Sequence, residues 1–124
     1  MRKDLKKLRG PFTPIYIDAT KKCPAWYAMD AIARALNVEM KLLYNREAES
    51  TVGMSARQAA RLLGVSINFA IKMLRQNEHY GFTVKMTGGH LGANGHGIAT
   101  QWRLTDEPYL GRNRRRSFWF AFAV

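Results

Sequence analysis

The amino-acid sequence predicts an α+β fold, and two kinds of hydrophobic pattern predict it. Apolar residues recur every three to four positions in residues 24–44, 56–63 and 67–78, as they do on one face of an α-helix. Apolar and polar residues alternate in residues 82–86 and 99–105, as in half-buried strands. The order of a long helix, two short helices and a β-hairpin is that of a winged helix-turn-helix.

The composition fits a basic domain. The 124 residues include 20 Lys and Arg and 9 Asp and Glu, for a formal net charge of +11. We expect a basic arm over residues 1–10, the winged helix-turn-helix domain over 11–110, and a basic, then apolar tail over 111–124. No apolar run reaches the 18 or so residues of a membrane span, and the first ten residues lack a signal-peptide pattern. The single Cys23 excludes an intramolecular disulfide, which favours a cytoplasmic location.

Before the helix pair, the pattern predicts two elements and a connection. Residues 12–17 are rich in β-branched and aromatic side chains and predict a short extended segment, confined to a sheet edge by Pro14. Pro24 suits the first turn of one long helix over residues 24–44. Residues 45–53 show no apolar periodicity and predict a connection. The long helix is expected to expose a polar face made of Asp30, Arg34, Asn37, Glu39 and Lys41.

Two short helices follow, separated by the turn Gly64-Val-Ser66. Ser55 and Ser66 are expected to cap the two N-termini, and Gly64 to end the first helix in a left-handed conformation. The expected inward-facing residues of the second helix are Ala70, Met73, Leu74 and Asn77. Beyond the pair, residues 87–98 contain five glycines and predict a flexible wing, with Lys85 and Arg103 at its base.

Several segments together resemble one protein family. They are Cys23-Pro-Ala-Trp26, residues 54–66, Tyr80-Gly-Phe82 and residues 99–108. The family consists of small winged-helix proteins encoded on bacterial plasmids, integrated elements and phages, especially in alphaproteobacteria. The resemblance covers residues 11–119 and implies sequence-specific DNA binding in transcriptional or replication control. The family usually has Ser in place of Cys23, and polar or small residues in place of Ile67, Phe69 and Ile71.

Double-stranded DNA is the partner that the charge pattern favours. Residues 54–77 contain basic side chains and no acid. In a major groove, Asn68 would pair with adenine, and Lys72 or Arg75 would reach guanine or phosphate. The predicted DNA-binding residues are Ser55, Arg57, Arg61, Ser66, Asn68, Lys72, Arg75, Gln76, Lys85, Arg103, Arg112, Arg114, Arg115 and Arg116.

Three apolar residues on the outward side of the second helix favour an alternative. Ile67, Phe69 and Ile71 offer a groove only contacts to thymine methyls and sugars, but they are typical anchors of a protein interface. The alternative is a protein-binding inhibitor or adaptor on a winged-helix frame, such as a phage antagonist of a CRISPR complex or polymerase. Its partner would be a host protein or ribonucleoprotein complex. The tail residues expected in that interface are Phe118, Trp119 and Phe120.

The tail leaves further alternatives open. In one alternative, Phe69 or Ile71 packs beneath the tail. The tail itself, residues 111–124, forms an extra element on the same domain, a homodimer seam, or an arginine arm on phosphate with an aromatic anchor. The sequence favours folding onto the same domain or onto a second copy.

No catalytic residue, metal site or cofactor is predicted, and we expect a protein that is not an enzyme. His90 and His96 lie six positions apart in the glycine-rich loop, and with His79 or Cys23 they match no known metal-ligand spacing. The loop also lacks the Gly-Lys-Ser/Thr sequence of a phosphate-binding loop. No Ser/His/Asp arrangement can be argued from the spacing.

Overall fold

A computed structural model describes residues 11–44, 51–87, 90–91 and 97–107. These residues form an α+β fold with four α-helices and a small antiparallel sheet of three strands. The helices are α1 (Pro24–Ala28), α2 (Ala31–Leu43), α3 (Ala56–Leu63) and α4 (Ile67–His79), preceded by a 3-10 helix at Ile17–Ala19. The strands are β1 (Val52–Gly53), β2 (Thr83–Thr87), β3 (His90–Leu91), β4 (Gly97–Ile98) and β5 (Gln101–Leu104).

The single long helix expected over residues 24–44 is wrong, because the chain breaks between α1 and α2. Met29 and Asp30 are non-helical, with ψ angles of 151° and 150°. The backbone N–H of Asp30 donates to Oε1 of Gln76 at 2.8 Å, and the Asp30 carboxylate accepts from Nε2 of Gln76 at 2.6 Å. The Gln76 amide therefore satisfies a free N–H at the start of α2, as a capping group does.

The polar face expected on the long helix is also wrong at two positions. Asn37 and Lys41 are fully buried. Nδ2 of Asn37 donates to Oδ1 of Asn77 at 3.1 Å. The Lys41 ammonium is hydrogen-bonded to the Asp106 carboxylate, and its Nζ lies 3.6 Å from Oε1 of Glu107. These partners lie far away in sequence, so the helical pattern of α2 alone cannot show that its polar side is covered.

The turn between α3 and α4 forms as the sequence predicts. Oγ of Ser55 accepts a hydrogen bond from the backbone N–H of Gln58 at 3.0 Å, and Oγ of Ser66 accepts from that of Phe69 at 3.1 Å. Gly64 ends α3 with φ at 68°, in the left-handed region. Both capping predictions and the glycine stop are confirmed.

The inward face of α4 is confirmed as well. The buried residues of this helix are Ala70, Met73, Leu74 and Asn77. Nδ2 of Asn77 donates to the carbonyl oxygens of Ala33 at 2.9 Å and Met73 at 3.1 Å. Because Ala33 belongs to α2, this buried amide fixes the position of α4 against α2.

The three-stranded sheet has the order β1-β5-β2, with antiparallel neighbours. Strands β2 and β5 are the predicted hairpin strands. Strand β1 is an addition, because Val52–Gly53 falls in the predicted connection and pairs with β5. The extended edge segment expected over residues 12–17 forms no strand, and its end enters the 3-10 helix. The helix and strand order is compatible with the predicted winged helix-turn-helix.

The core lies between the helices and the sheet. Trp102 on β5 is buried, and its Nε1 donates to the carbonyl oxygen of Met54 at 3.0 Å. The ring of Phe82 is fully buried and meets the Trp26 ring edge to face, with centroids 5.7 Å apart. Trp102 and Trp26 thus both pack into the core, although Trp26 is only partly buried.

Candidate nucleic-acid interface

An exposed row of polar side chains runs along the outer face of α4. Asn68, Lys72 and Arg75 are all exposed. At 3.6 residues per turn they project within an arc of about 60°, opposite the buried face of the helix. We call these three residues the polar stripe. It presents an amide and two positive charges on a helix whose other face is fixed in the core.

Apolar side chains border the polar stripe, but they do not all point outward. Ile67 is 45% exposed. Ile71 is partly buried, and Phe69 is partly buried and packs against the core. The prediction of three outward apolar residues is therefore wrong for Phe69, because Phe69 lies one turn before the buried Met73, on the flank of the inward face. The outer face of α4 is less apolar than its sequence suggests.

Gln76 borders the polar stripe on the side opposite Ile71. A contact with DNA is predicted for its side chain, but the structure shows it in contact with another part of the protein. Both Oε1 and Nε2 of its amide are hydrogen-bonded to Asp30. This contact also brings a carboxylate against α4, although residues 54–77 contain no acid in sequence. The structure thus places Gln76 as a link between α2 and α4.

Two exposed arginines lie on α3. Arg57 is in the first turn of this helix and Arg61 is four residues later, so they share one side. Neither forms an ion pair with a carboxylate of the described residues. The predicted phosphate-binding arginines therefore have exposed, positively charged heads.

The base of the wing does not bring its two basic residues together. Lys85 is exposed, with Nζ 5.6 Å from the centroid of the Trp102 ring. The register pairs Lys85 with Trp102 and Val84 with Arg103. Because neighbouring strand residues point to opposite faces, Lys85 and Arg103 lie on different sides of the sheet.

The other predicted site residues fall outside the described residues. They are Arg112, Arg114, Arg115, Arg116, Phe118, Trp119 and Phe120. The predicted wing is described only where β3 pairs with β4.

A cleft that the sequence does not predict lies at the C-terminal end of α2. Its volume is about 610 Å³, and its walls include Phe12, Tyr16 and Leu42. Lys41 and Glu107, from the buried ionic cluster, also line it. Nζ of Lys41 lies 5.7 Å from the centroid of the Tyr16 ring. The cleft forms because the segment before the 3-10 helix folds back over α2, a long-range contact.

Neither a metal centre nor a membrane-crossing helix is found in the part of the chain that the structure describes. No three His, Cys, Asp or Glu residues converge there to hold an ion. None of the helices there has both the length and the apolar character needed to cross a bilayer.

Comparison of the chain with known protein families, curated proteins and solved structures gives no match. The resemblance to winged-helix proteins of mobile elements therefore stays a prediction. The geometry of α3, α4 and the sheet is the physical basis for a functional proposal.

Proposed function

We propose that the protein is a winged-helix protein that binds duplex DNA by placing α4 in the major groove. The observation that carries this proposal is the exposed polar stripe on a helix whose inner face is fixed by buried contacts. The antiparallel pair β2–β5 after the helix pair, with β1 from before the pair added at the edge of β5, supports the winged-helix assignment. Sequence-specific binding in the control of transcription or replication of a mobile element or phage is the role that the resemblance implies.

The dimensions and chemistry of α4 suit this role. Its 13 residues span about 20 Å, and the major groove is wide enough to admit an α-helix. Asn68 offers both a donor and an acceptor, which match the edge of adenine. Lys72 and Arg75 offer donors to guanine or to phosphate oxygens. Arg57 and Arg61 on α3 extend the positive surface toward the DNA backbone.

Paired charge variants test the proposal. A duplex selected from a random library is titrated with the protein and with Lys72→Ala/Arg75→Ala. Since each good base contact contributes about 1–3 kcal/mol, we expect the double variant to bind at least about 30-fold more weakly. The matched control is Lys21→Ala/Lys22→Ala, which removes the same charge from two exposed lysines outside the helix pair.

The control is expected to change the affinity less than the stripe variant by at least an order of magnitude. Equal losses in the two double variants would show that only net charge matters and would contradict binding by α4. Failure of the wild-type protein to bind any duplex would contradict the proposal as a whole.

One observation favours a protein-binding function as the second candidate. Leu62 and Ile67 are 46% and 45% exposed, on either side of the α3–α4 turn. Ile67→Asp tests this candidate better than a change at Phe69, which packs against the core. A host protein that copurifies from nuclease-treated lysate, is lost with Ile67→Asp and is kept with Lys72→Ala/Arg75→Ala would support it. If the same partner survives Ile67→Asp, this surface is not the interface.

A further inference from the structure

We infer that Ile67 contacts the methyl group of a thymine next to an adenine read by Asn68, so that A·T pairs face the first turn of α4. This inference rests on the proposed DNA-binding function and adds the base composition of the site. It concerns the two neighbouring side chains that the start of α4 exposes.

Packing among the described residues gives no structural role to the exposed side chain of Ile67. Ile67 is the first residue of α4 and is 45% exposed. Among the described residues, Phe69 belongs to the partly buried side chains that pack against the core, but Ile67 and Ile71 do not. Phe69 therefore has a structural role, whereas Ile67 presents a branched aliphatic side chain to the surroundings.

The local backbone holds Ile67 in a defined direction. Ser66 caps α4, with its Oγ accepting from the N–H of Phe69 at 3.1 Å. This bond fixes the first turn, which contains Ile67 and the exposed Asn68. In helix-turn-helix complexes the N-terminal residues of the second helix contact the base edges. Ile67 and Asn68 are thus at the end of α4 that approaches the bases.

The chemistry of the two side chains points to A·T pairs. An Asn amide forms two hydrogen bonds with the major-groove edge of adenine. Thymine alone carries a methyl group in that groove, and an aliphatic side chain gains from burying it. Against guanine or cytosine, the Ile67 side chain would cover polar groups without offering them a hydrogen bond, which is unfavourable. Ile67 and Asn68 therefore select the same kind of base pair.

Under this inference, the residues at the two ends of the polar stripe have different roles. Asn68 lies in the first turn of α4, and Lys72 and Arg75 lie one and two turns further along. Ile71 is four residues after Ile67 and continues the same apolar border. The base preference thus arises at the start of the helix, and the two cations supply contacts to guanine or phosphate further on.

Replacing thymine by uracil tests the inference, because it removes only the methyl group. In the selected duplex, each thymine is replaced in turn by uracil, and binding is measured for the wild-type protein and for Ile67→Ala. Burying one methyl contributes roughly 0.8 kcal/mol, so we expect about a fourfold loss at one or two positions for the wild type. Ile67→Ala is expected to bind the thymine duplex more weakly and to show no loss with uracil at those positions.

Leu62→Ala is the matched control, since Leu62 is as exposed as Ile67 but lies on α3. It is expected to keep the full discrimination between thymine and uracil. Equal wild-type affinity for all the uracil duplexes, or discrimination that survives in Ile67→Ala, would overturn the inference while salt-sensitive duplex binding upheld the proposed function. If no duplex is bound, both are overturned.

Discussion

Gln76 and Asn68 are amide residues of the same helix with different surroundings. Both polar atoms of the Gln76 side chain are hydrogen-bonded to Asp30, whereas Asn68 is exposed. We expect Gln76→Ala to lower the free energy of unfolding by about 0.5–1.5 kcal/mol, because it removes two hydrogen bonds to Asp30, whose exposed groups water then solvates. Asn68→Ala should change it by less than about 0.5 kcal/mol, as surface substitutions usually do. Urea denaturation measures both values, and a larger effect at Asn68 would contradict these roles.

Lys41 is a second residue whose surroundings decide its role. It is fully buried between the carboxylates of Asp106 and Glu107. Lys41→Ala leaves two buried acids without their cation, so we expect a loss of about 3–5 kcal/mol in the free energy of unfolding. The triple variant Lys41→Met/Asp106→Asn/Glu107→Gln removes all three charges and should lose less. Thermal denaturation compares them, and a triple variant less stable than Lys41→Ala would contradict an ionic role for this cluster.

At the scale of elements, the turn between α3 and α4 depends on one backbone angle. Gly64 has φ at 68°, and a Cβ built on it would meet nothing within 4 Å. The cost of Gly64→Ala is therefore backbone strain without a clash, and we expect about 1–2 kcal/mol of lost stability. Gly64→Asn should lose less, since Asn tolerates the left-handed region better. Chemical denaturation checks this order, and equal stability of all three proteins would contradict it.

Local signals made the helix pair predictable, and long-range contacts made other elements unpredictable. Ser55, Gly64 and Ser66 act on backbone groups a few residues away, so their roles follow from the sequence. The break before α2 depends on Gln76, which is 46 positions from Asp30. Strand β1 is only two residues long, too short to show alternation, and forms because β5 pairs with it. The polar stripe was predictable from the helical period. The inward position of Phe69 and the hydrogen bonds between Gln76 and Asp30 depend instead on tertiary packing.

At the scale of the whole molecule, the described acids and bases are distributed unequally. Asp106 and Glu107 are buried with Lys41, and Asp30 is hydrogen-bonded to Gln76. The exposed Lys and Arg residues of α3 and α4 are Arg57, Arg61, Lys72 and Arg75, against one exposed carboxylate, Glu78, near the end of α4. Part of the negative charge is thus held inside the molecule, while the helix pair presents positive charge outside. The helix pair is therefore one surface through which this protein, with its net charge of +11, can attract a polyanion.

The salt dependence of duplex binding tests most directly the claim that the helix pair contacts the DNA backbone. The logarithm of the binding constant is measured against the logarithm of salt concentration for the wild type, for Arg57→Ala/Arg61→Ala and for Lys21→Ala/Lys22→Ala. Each neutralised phosphate contributes about 0.9 to the slope, so we expect the α3 double variant to reduce its magnitude by about 1.8 and the lysine control to leave it nearly unchanged. A wild-type affinity independent of salt, or a slope unaltered by the loss of Arg57 and Arg61, would contradict the account.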